Sequence, residues 1–293
     1  MNFLNEFNLF SLSKRINRPL ILDGAMGSLM EQKGLTSKDY SWSAKVNMYN
    51  PEVVLQIHKD YINAGADIIT TNTFRTNPYA LKQAGIDVFK NYVKIAMNLA
   101  LEAKENLPIL IAGSNPPTED CYQTQRKATK KELELNHCYH IESLVEYGAD
   151  FILNETQSHL DEIKIICEFC NKNNIPFVIS LYFTEDLRLL SGEKIIEVIS
   201  FIKNYNPLCI SFNCITNSLL DKLTSNMEID FNWGFYLNLW KKSESENNKR
   251  NNFYAELIRD KLSLSPSMIG ACCGSNPNDI KSIKELLDER NNT

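Results

Sequence analysis

Short apolar runs alternate with longer stretches of helical periodicity along the whole chain. The runs cover residues 19–24, 66–72, 109–113, 150–155, 176–181, 209–213, 234–238 and 268–270. Each run is apolar on both faces, as expected for parallel strands that helices cover. Between the runs, apolar residues recur at the spacing of one helical face, for example over residues 51–64 and 158–171.

About eight strand–helix repeats in 293 residues predict an α/β protein built as a single (β/α)8 barrel of the TIM type. The alternative is an open doubly wound sheet, which the repeat count disfavours. We therefore expect one domain over residues 1–293, with residues 1–18 as an N-terminal helix or extension. The polar stretch 241–252 is expected to form a loop or a frayed helix.

Charge and hydropathy disfavour several classes of protein. The chain has 31 Lys and Arg against 36 Asp and Glu, a net charge of -5, whereas nucleic-acid binding requires a basic face. No apolar run reaches the roughly 18 residues of a membrane span, and residues 1–18 lack the pattern of a secretory signal. We expect a cytoplasmic protein with reduced thiols that binds neither nucleic acid nor membranes. The sequence predicts no particular oligomeric state.

Three of the 8 cysteines lie where predicted strands end. Cys214 ends the sixth run, and Cys272 and Cys273 follow the eighth between Gly270 and Gly274. The glycines allow a tight turn that could aim both sulfurs at one point, and strand ends meet at one face of a barrel. Three sulfur ligands with an open fourth position are typical of catalytic zinc. The spacing of the adjacent pair alone leaves a metal site and plain packing equally open.

The other cysteines and the histidines are interpreted as packing residues. Five cysteines are expected to be small buried hydrophobes: Cys121, Cys138, Cys167, Cys170 and Cys209. Four histidines fall in helical patterns without a His-Glu-x-x-His motif, and they are interpreted as surface or packing residues: His58, His137, His140 and His159.

Asp23 and Glu155 are carboxylates at predicted strand ends. Two carboxylates in one barrel mouth could act as an acid–base pair, or they could hold an ammonium group. Beside a thiolate-bound metal the second role fits better, because the metal already acts as the acid. Asn72 is a further polar residue at a strand end.

Together these residues resemble the homocysteine S-methyltransferase family over nearly the whole chain. The resemblance is carried by the segments LDGAMG (22–27), GADIITTNTF (65–74), NET (154–156), NC (213–214) and GACCG (270–274). It implies a homocysteine-binding barrel domain with Zn²⁺ held by Cys214, Cys272 and Cys273.

The resemblance also implies the substrate contacts and the reaction. Asp23 and Glu155 would bind the homocysteine amino group, the backbone at Gly24 and Ala25 its carboxylate, and Asn72 would belong to the same site. A methyl group would pass from S-methylmethionine or S-adenosylmethionine to the thiol of homocysteine, giving methionine. Apart from the metal-activated substrate thiol, no catalytic group is implied, and the only partners are small molecules.

Several positions depart from the family pattern. Ala271 and Phe212 replace glycines, and the loops after the third and seventh strands read Asn-Pro-Pro-Thr (115–118) and Leu-Asn-Leu-Trp (237–240). The metal ligands are intact, whereas the pocket for the methyl donor is altered. Methyl-cobalamin with partner proteins, betaine as donor, selenocysteine as acceptor, and a non-catalytic zinc- or thiol-binding barrel therefore stay open as alternatives.

Overall fold

The computed structural model describes residues 8–239 and 253–291, and eight parallel strands form its centre. They are β1 (Leu20–Ile21), β2 (Ile68–Thr70), β3 (Leu110–Asn115), β4 (Phe151–Gln157), β5 (Phe177–Leu181), β6 (Cys209–Asn213), β7 (Trp233–Leu237) and β8 (Met268–Ala271). Their order is β1-β8-β7-β6-β5-β4-β3-β2, and a parallel bridge between Leu22 and Ile68 joins β1 to β2. The predicted (β/α)8 barrel is confirmed.

Helices follow every strand on the outside of the barrel. Within the described ranges they are α1 (Leu9–Arg15), α2 (Met26–Gln32), α3 (Val46–Tyr49), α4 (Pro51–Asn63), α5 (Pro78–Gln83), α6 (Phe89–Lys104), α7 (Lys130–Glu146), α8 (Leu160–Lys172), α9 (Ile195–Lys203), α10 (Asn217–Asn226), α11 (Phe253–Ile258) and α12 (Pro277–Asn291). A 3₁₀ segment, Arg259–Leu264, follows α11. No helix in these ranges combines the length and apolar surface needed to cross a membrane.

Local sequence explains where several helices begin. Pro51 occupies the first turn of α4, where a missing N–H costs nothing. Thr129 and Glu132 form a reciprocal capping box at the start of α7. The Thr216 hydroxyl accepts a hydrogen bond from the Leu219 amide at the start of α10.

Two apolar clusters alternate along the strands. Leu20, Leu22 and Met268 belong to an inner cluster, whereas Ile21 and Ile269 pack with the helices outside. This period of two is the expected alternation of a barrel wall. Side chains from α1 join the inner cluster, so the N-terminal segment covers one end of the barrel and leaves the carboxyl ends of the strands accessible.

The strands differ from their predicted bounds where side chains replace main-chain pairing. β1 and β2 are shorter than predicted. Where they end, the Thr70 amide donates to the Asp23 carboxylate rather than to a main-chain carbonyl of the neighbouring strand. β4 is longer, with a shift of register between Asn154 and Gln157 that re-aims Glu155. The polar stretch 241–252, predicted as a loop or frayed helix, lies outside the described residues.

Candidate functional site

A cavity of about 610 Å³ opens at the carboxyl ends of the strands. That volume is ordinary for a small-molecule site, and this end of the barrel is where the fold carries its chemistry. Its floor is formed by Glu155, near the end of β4, and by residues just after β1, β6 and β8: Asp23, Cys214, Cys272 and Cys273. The structure therefore brings together the carboxylates and thiols that the sequence placed at strand ends.

The three thiols converge on one point of this floor. The Sγ of Cys214 lies 2.8 Å from that of Cys272 and 3.6 Å from that of Cys273, and Cys272 and Cys273 are 4.0 Å apart. Tetrahedral zinc with bonds of about 2.3 Å separates its sulfur ligands by about 3.8 Å, which the two longer distances bracket. No other group of metal-ligating side chains converges in this way among the described residues. The thiols therefore fit a thiophilic metal ion.

Backbone geometry explains the convergence. Cys214 has φ 56°, a left-handed conformation in which a non-glycine residue is strained. A Cβ on Gly270 would lie 2.8 Å from the Cβ of Leu22, so only glycine allows β8 to approach β1 this closely. Gly274 has φ 81° and turns the chain after the cysteine pair. Ala271 is not left-handed, so the alanine in place of a family glycine is accommodated.

Hydrogen bonds favour the thiolate form of one cysteine in the cluster. The bonds from Cys214 and Cys272 lower the pKa of Cys273, whereas the same contacts raise the pKa of Cys272. The hydroxyl of Tyr122 lies 3.1 Å from the Cys214 Sγ and donates to it. A partly buried thiolate without a cation is costly, so the cluster favours a bound cation.

Asp23 and Glu155 are held in place by neighbouring strands. The Thr70 amide and hydroxyl each donate to Asp23 at 2.8 Å, and the Ser114 hydroxyl donates to Glu155. Burial raises the pKa of Asp23 to about 8, and the charge of Glu155 adds to this. Burial also raises the pKa of Glu155 to about 7, with a further contribution from Cys273. Two carboxylates that repel each other at the floor of a cavity, one buried and one partly buried, would be stabilised by a cation beside them.

Asn213 fixes the position of Glu155 relative to the thiols. Its side chain accepts a bond from the Thr156 amide and donates to the Thr156 hydroxyl, both at 2.9 Å. Thr156 has φ 58°, so the bond stabilises a strained backbone immediately after Glu155. The asparagine before Cys214 thus ties the end of β4 to the end of β6.

Gly24 and Ala25 border the cavity, as does Asn72. The Ala25 amide donates to the Ser275 hydroxyl at 2.9 Å. The side-chain amide of Asn72 donates to the Ser43 carbonyl at 3.1 Å and to the Asn47 side chain at 2.9 Å. The sequence predicted that the side chain of Asn72 would belong to the substrate site. In the structure its amide group is instead bonded to Ser43 and Asn47, and it supports the wall of the cavity.

Sequence reasoning did not find several cavity residues. The rim contains Trp42, Phe74, Arg75 and Tyr122, which lie in the connections after β1, β2 and β3. Their local sequence carries no signal, because only the closed barrel brings these connections together. Tyr236 also lines the cavity from β7, and its buried hydroxyl has no hydrogen-bond partner among the described residues.

The packing interpretation holds for most of the remaining cysteines and histidines. Cys167 and Cys170 lie in the apolar core, and all four histidines are buried. Burial lowers the pKa of His58 to about 3. Two expectations need correction. His159 lies at the N-cap position of α8, outside the helix, and Cys138 is only partly buried. Cys121 is buried as expected, and it also borders the cavity.

The chain is similar to known proteins over most of its length. The sequence profile of the family described as homocysteine S-methyltransferase matches residues 20–287. A homocysteine S-methyltransferase of Escherichia coli is 25% identical, over 90% of this chain and 94% of its own length. A betaine-homocysteine S-methyltransferase of Drosophila melanogaster is 24% identical, over 94% of this chain and 96% of its own length.

Solved structures show the same fold. The homocysteine methyltransferase MmuM from Escherichia coli matches in two forms, the oxidized form with a TM-score of 0.78 and the metallated form with a TM-score of 0.79. The metallated form is 24% identical, and the match covers 94% of this chain and 99% of that chain.

Proposed function

This chain belongs to the homocysteine S-methyltransferase family, and we propose that it transfers a methyl group from a small activated donor to the thiol of L-homocysteine, giving methionine. The observation that carries the proposal is the placement of three convergent thiols and the carboxylates of Asp23 and Glu155 in one cavity. S-Methylmethionine and S-adenosylmethionine are the donors that we propose. Residues 1–293 would act as one homocysteine-binding domain.

Cys214, Cys272 and Cys273 would hold Zn²⁺. Their soft sulfur atoms suit zinc, and three protein ligands leave a fourth position for the substrate thiol. When bound, zinc would supply the charge that keeps a coordinated thiol deprotonated at neutral pH. The distances between the three sulfurs support this assignment.

Asp23 and Glu155 would bind the ammonium group of homocysteine. Burial raises the pKa of both carboxyl groups and no cationic side chain opposes that shift, so an ammonium group beside them would stabilise their charged forms. The carboxylate of the same substrate would lie against the backbone at Gly24 and Ala25. Asn72 would act by supporting the wall, since Ser43 and Asn47 engage its side chain.

Beyond activation of the thiol, the protein has to orient the two substrates for methyl transfer. A thiolate that attacks the methyl group of a sulfonium releases a neutral sulfide, so no general base is needed in the transfer. The protein has to align the sulfur, the methyl carbon and the leaving atom and to keep water away. Trp42, Phe74 and Tyr122 supply aromatic faces that attract an onium cation.

The open cavity favours catalysis over a non-catalytic barrel. A closed donor site would leave little space above the thiols, whereas the cavity measures about 610 Å³. The loop after β7 is described only as far as Leu239. The Drosophila relative makes betaine the second donor to test.

The test is an assay of the zinc-loaded protein with homocysteine and, in turn, S-methylmethionine, S-adenosylmethionine and betaine. Methionine should form with one of these donors. Cys272→Ala should lose both zinc and methionine formation, while Cys209→Ala, a buried thiol on β6 outside the cluster, should keep both. Stoichiometric zinc without methionine from any donor would contradict the enzyme proposal. Full zinc content and activity in Cys272→Ala would contradict the ligand assignment.

A further inference from the structure

Arg75 is a half-buried cation in the wall of the cavity, on the loop between β2 and α5. One of its terminal nitrogens donates to the backbone carbonyl of Glu119 at 3.0 Å. Its guanidinium carbon lies 5.1 Å from the centre of the Phe74 ring. These contacts orient the guanidinium and leave most of its five N–H groups without a hydrogen bond to the residues that the structure describes.

Arg75 differs from the arginines that brace the fold. Arg18 pairs with Asp67, and Arg126 pairs with Asp161 and Glu162. Among the described residues no carboxylate lies within 4.0 Å of the Arg75 guanidinium.

The side chain of Glu119, whose backbone carbonyl Arg75 contacts, is engaged elsewhere. The carboxylate of Glu119 accepts bonds from the amides of Lys127 at 2.8 Å and Ala128 at 2.9 Å. A half-buried guanidinium whose fork faces a cavity matches a planar anion such as a carboxylate.

We propose that Arg75 binds the carboxylate of the methyl donor and thereby selects donors that carry a carboxylate as well as an onium group. This inference rests on the proposed function. The onium group would lie against the aromatic faces of Trp42 and Phe74, whose rings meet edge to face at 6.3 Å. A donor with both groups would be fixed at two points, which is what in-line transfer requires.

The carboxylate of homocysteine is a poorer match for Arg75. In an amino acid the ammonium and carboxylate share one carbon, so the acceptor carboxylate has to lie close to Asp23 and Glu155. Arg75 bonds to Glu119 on the loop after β3. Burial raises the pKa of Cys121 on the same loop to about 12 and the charge of Arg75 opposes that shift, whereas Arg75 is not among the groups that shift the pKa of Glu155. Arg75 therefore acts on the β3 side of the cavity, away from the ammonium site.

The experiment measures binding to the zinc-loaded protein by calorimetry. Saturating homoserine, which has a hydroxyl in place of the thiol, fills the acceptor site and prevents turnover. Two pairs of probes differ in the carboxylate: S-methylmethionine against (3-aminopropyl)dimethylsulfonium, and glycine betaine against choline.

The wild-type protein should favour the carboxylate member of at least one pair by about tenfold or more. Arg75→Gln should reduce that preference to within about twofold, and Arg75→Lys should retain part of it, because lysine keeps the charge and loses the fork. Arg188→Gln is the matched control, since Arg188 donates to the Gly192 carbonyl at 2.6 Å outside the cavity. Its preference should equal that of the wild type.

The inference is overturned if the wild type binds none of the four probes or shows no preference. It is also overturned if Arg75→Gln keeps the preference, or if that variant loses affinity for homoserine alone. The proposed function is judged separately by methionine formation. If methionine forms but the preference for the carboxylate probe does not depend on Arg75, only this inference is refuted. If the preference depends on Arg75 but no methionine forms, only the proposed function is refuted.

Discussion

The floor and the rim of the cavity take their side chains from different parts of the barrel. Among the floor residues, Asp23 and Cys214 directly follow strands and Glu155 lies near the end of β4. Hydrogen bonds from Thr70 and Ser114 on neighbouring strands hold Asp23 and Glu155 in place. Rim residues such as Arg75 and Tyr122 lie in loops and are held by contacts between loops. The floor keeps the family pattern, while the loops after the third and seventh strands depart from it.

This difference between floor and rim separates activation of the acceptor from choice of the donor. Residues at strand ends can hardly move without disrupting the sheet, whereas loops vary at little cost to the fold. We therefore expect acceptor activation to depend on the floor and donor choice to depend on the rim. Substitutions in each region should affect one substrate and spare the other.

The largest effect should come from the thiols. Cys273→Ser should weaken zinc binding by at least about 100-fold and abolish methionine formation, because a hydroxyl is a poor ligand for a thiophilic metal. Zinc content after dialysis against a chelator, measured by plasma mass spectrometry, provides the test. Cys170→Ser, in the core outside the cavity, should keep its zinc. Equal zinc retention in the two variants would contradict the assignment.

Substitution of the floor carboxylates should have the next largest effect, and it should lower the affinity for the acceptor alone. Glu155→Gln should raise the Kd for homoserine by about 10- to 100-fold, because a charged hydrogen bond to the ammonium is lost. The Ser114 hydroxyl can still donate to the glutamine, so the fold should persist. Calorimetry with homoserine and then with S-methylmethionine measures both affinities. Equal losses for both ligands would remove the distinction between floor and rim.

Binding of the acceptor should also depend on pH. An ammonium ligand needs ionised carboxylates, and the pKa values of Asp23 and Glu155 are raised to about 8 and about 7. The affinity for homoserine, which has no thiol to titrate, should therefore fall as the pH is lowered from 8 to 6. Asp23→Asn should flatten this dependence as well as weaken binding. An affinity that stays constant over this range would show that the carboxylates do not face the ammonium group.

The smallest effect should come from the buried pair beneath the rim. Arg126 and Thr118 both bind Glu162, and these contacts anchor the loop that carries Tyr122. Arg126→Met should raise the KM for the donor by about three- to tenfold and leave the KM for homocysteine unchanged. Lys203→Met, which breaks an exposed pair with Asp230, is the control. A change in the homocysteine KM instead would place the effect on the floor.

Local sequence signals predicted the floor and the barrel well. The bounds of β6 match the prediction, and the strand ends carry the cysteines and carboxylates that the pattern placed there. The bulge in β4 was not predictable, since it depends on the bond between Asn213 and the Thr156 amide, two residues that are distant in sequence.

The rim shows why the remainder escaped prediction. Arg75 meets the Glu119 carbonyl and Tyr122 meets Cys214 only after the barrel closes. His137 looked like an ordinary helical histidine, yet it is buried against Glu162 at 2.6 Å, a partner from the next helix. Contacts of this kind depend on the tertiary structure and leave no periodic trace in the sequence.

X-ray absorption at the zinc edge tests the central claim most directly. The zinc-loaded protein should show three sulfur ligands and one lighter ligand, and homocysteine should raise the number of sulfur ligands to four. Homoserine should cause no such change. Fewer than three sulfur ligands in the protein alone, or an unchanged sulfur count with homocysteine, would contradict a site in which Cys214, Cys272 and Cys273 present a metal ion to the substrate thiol.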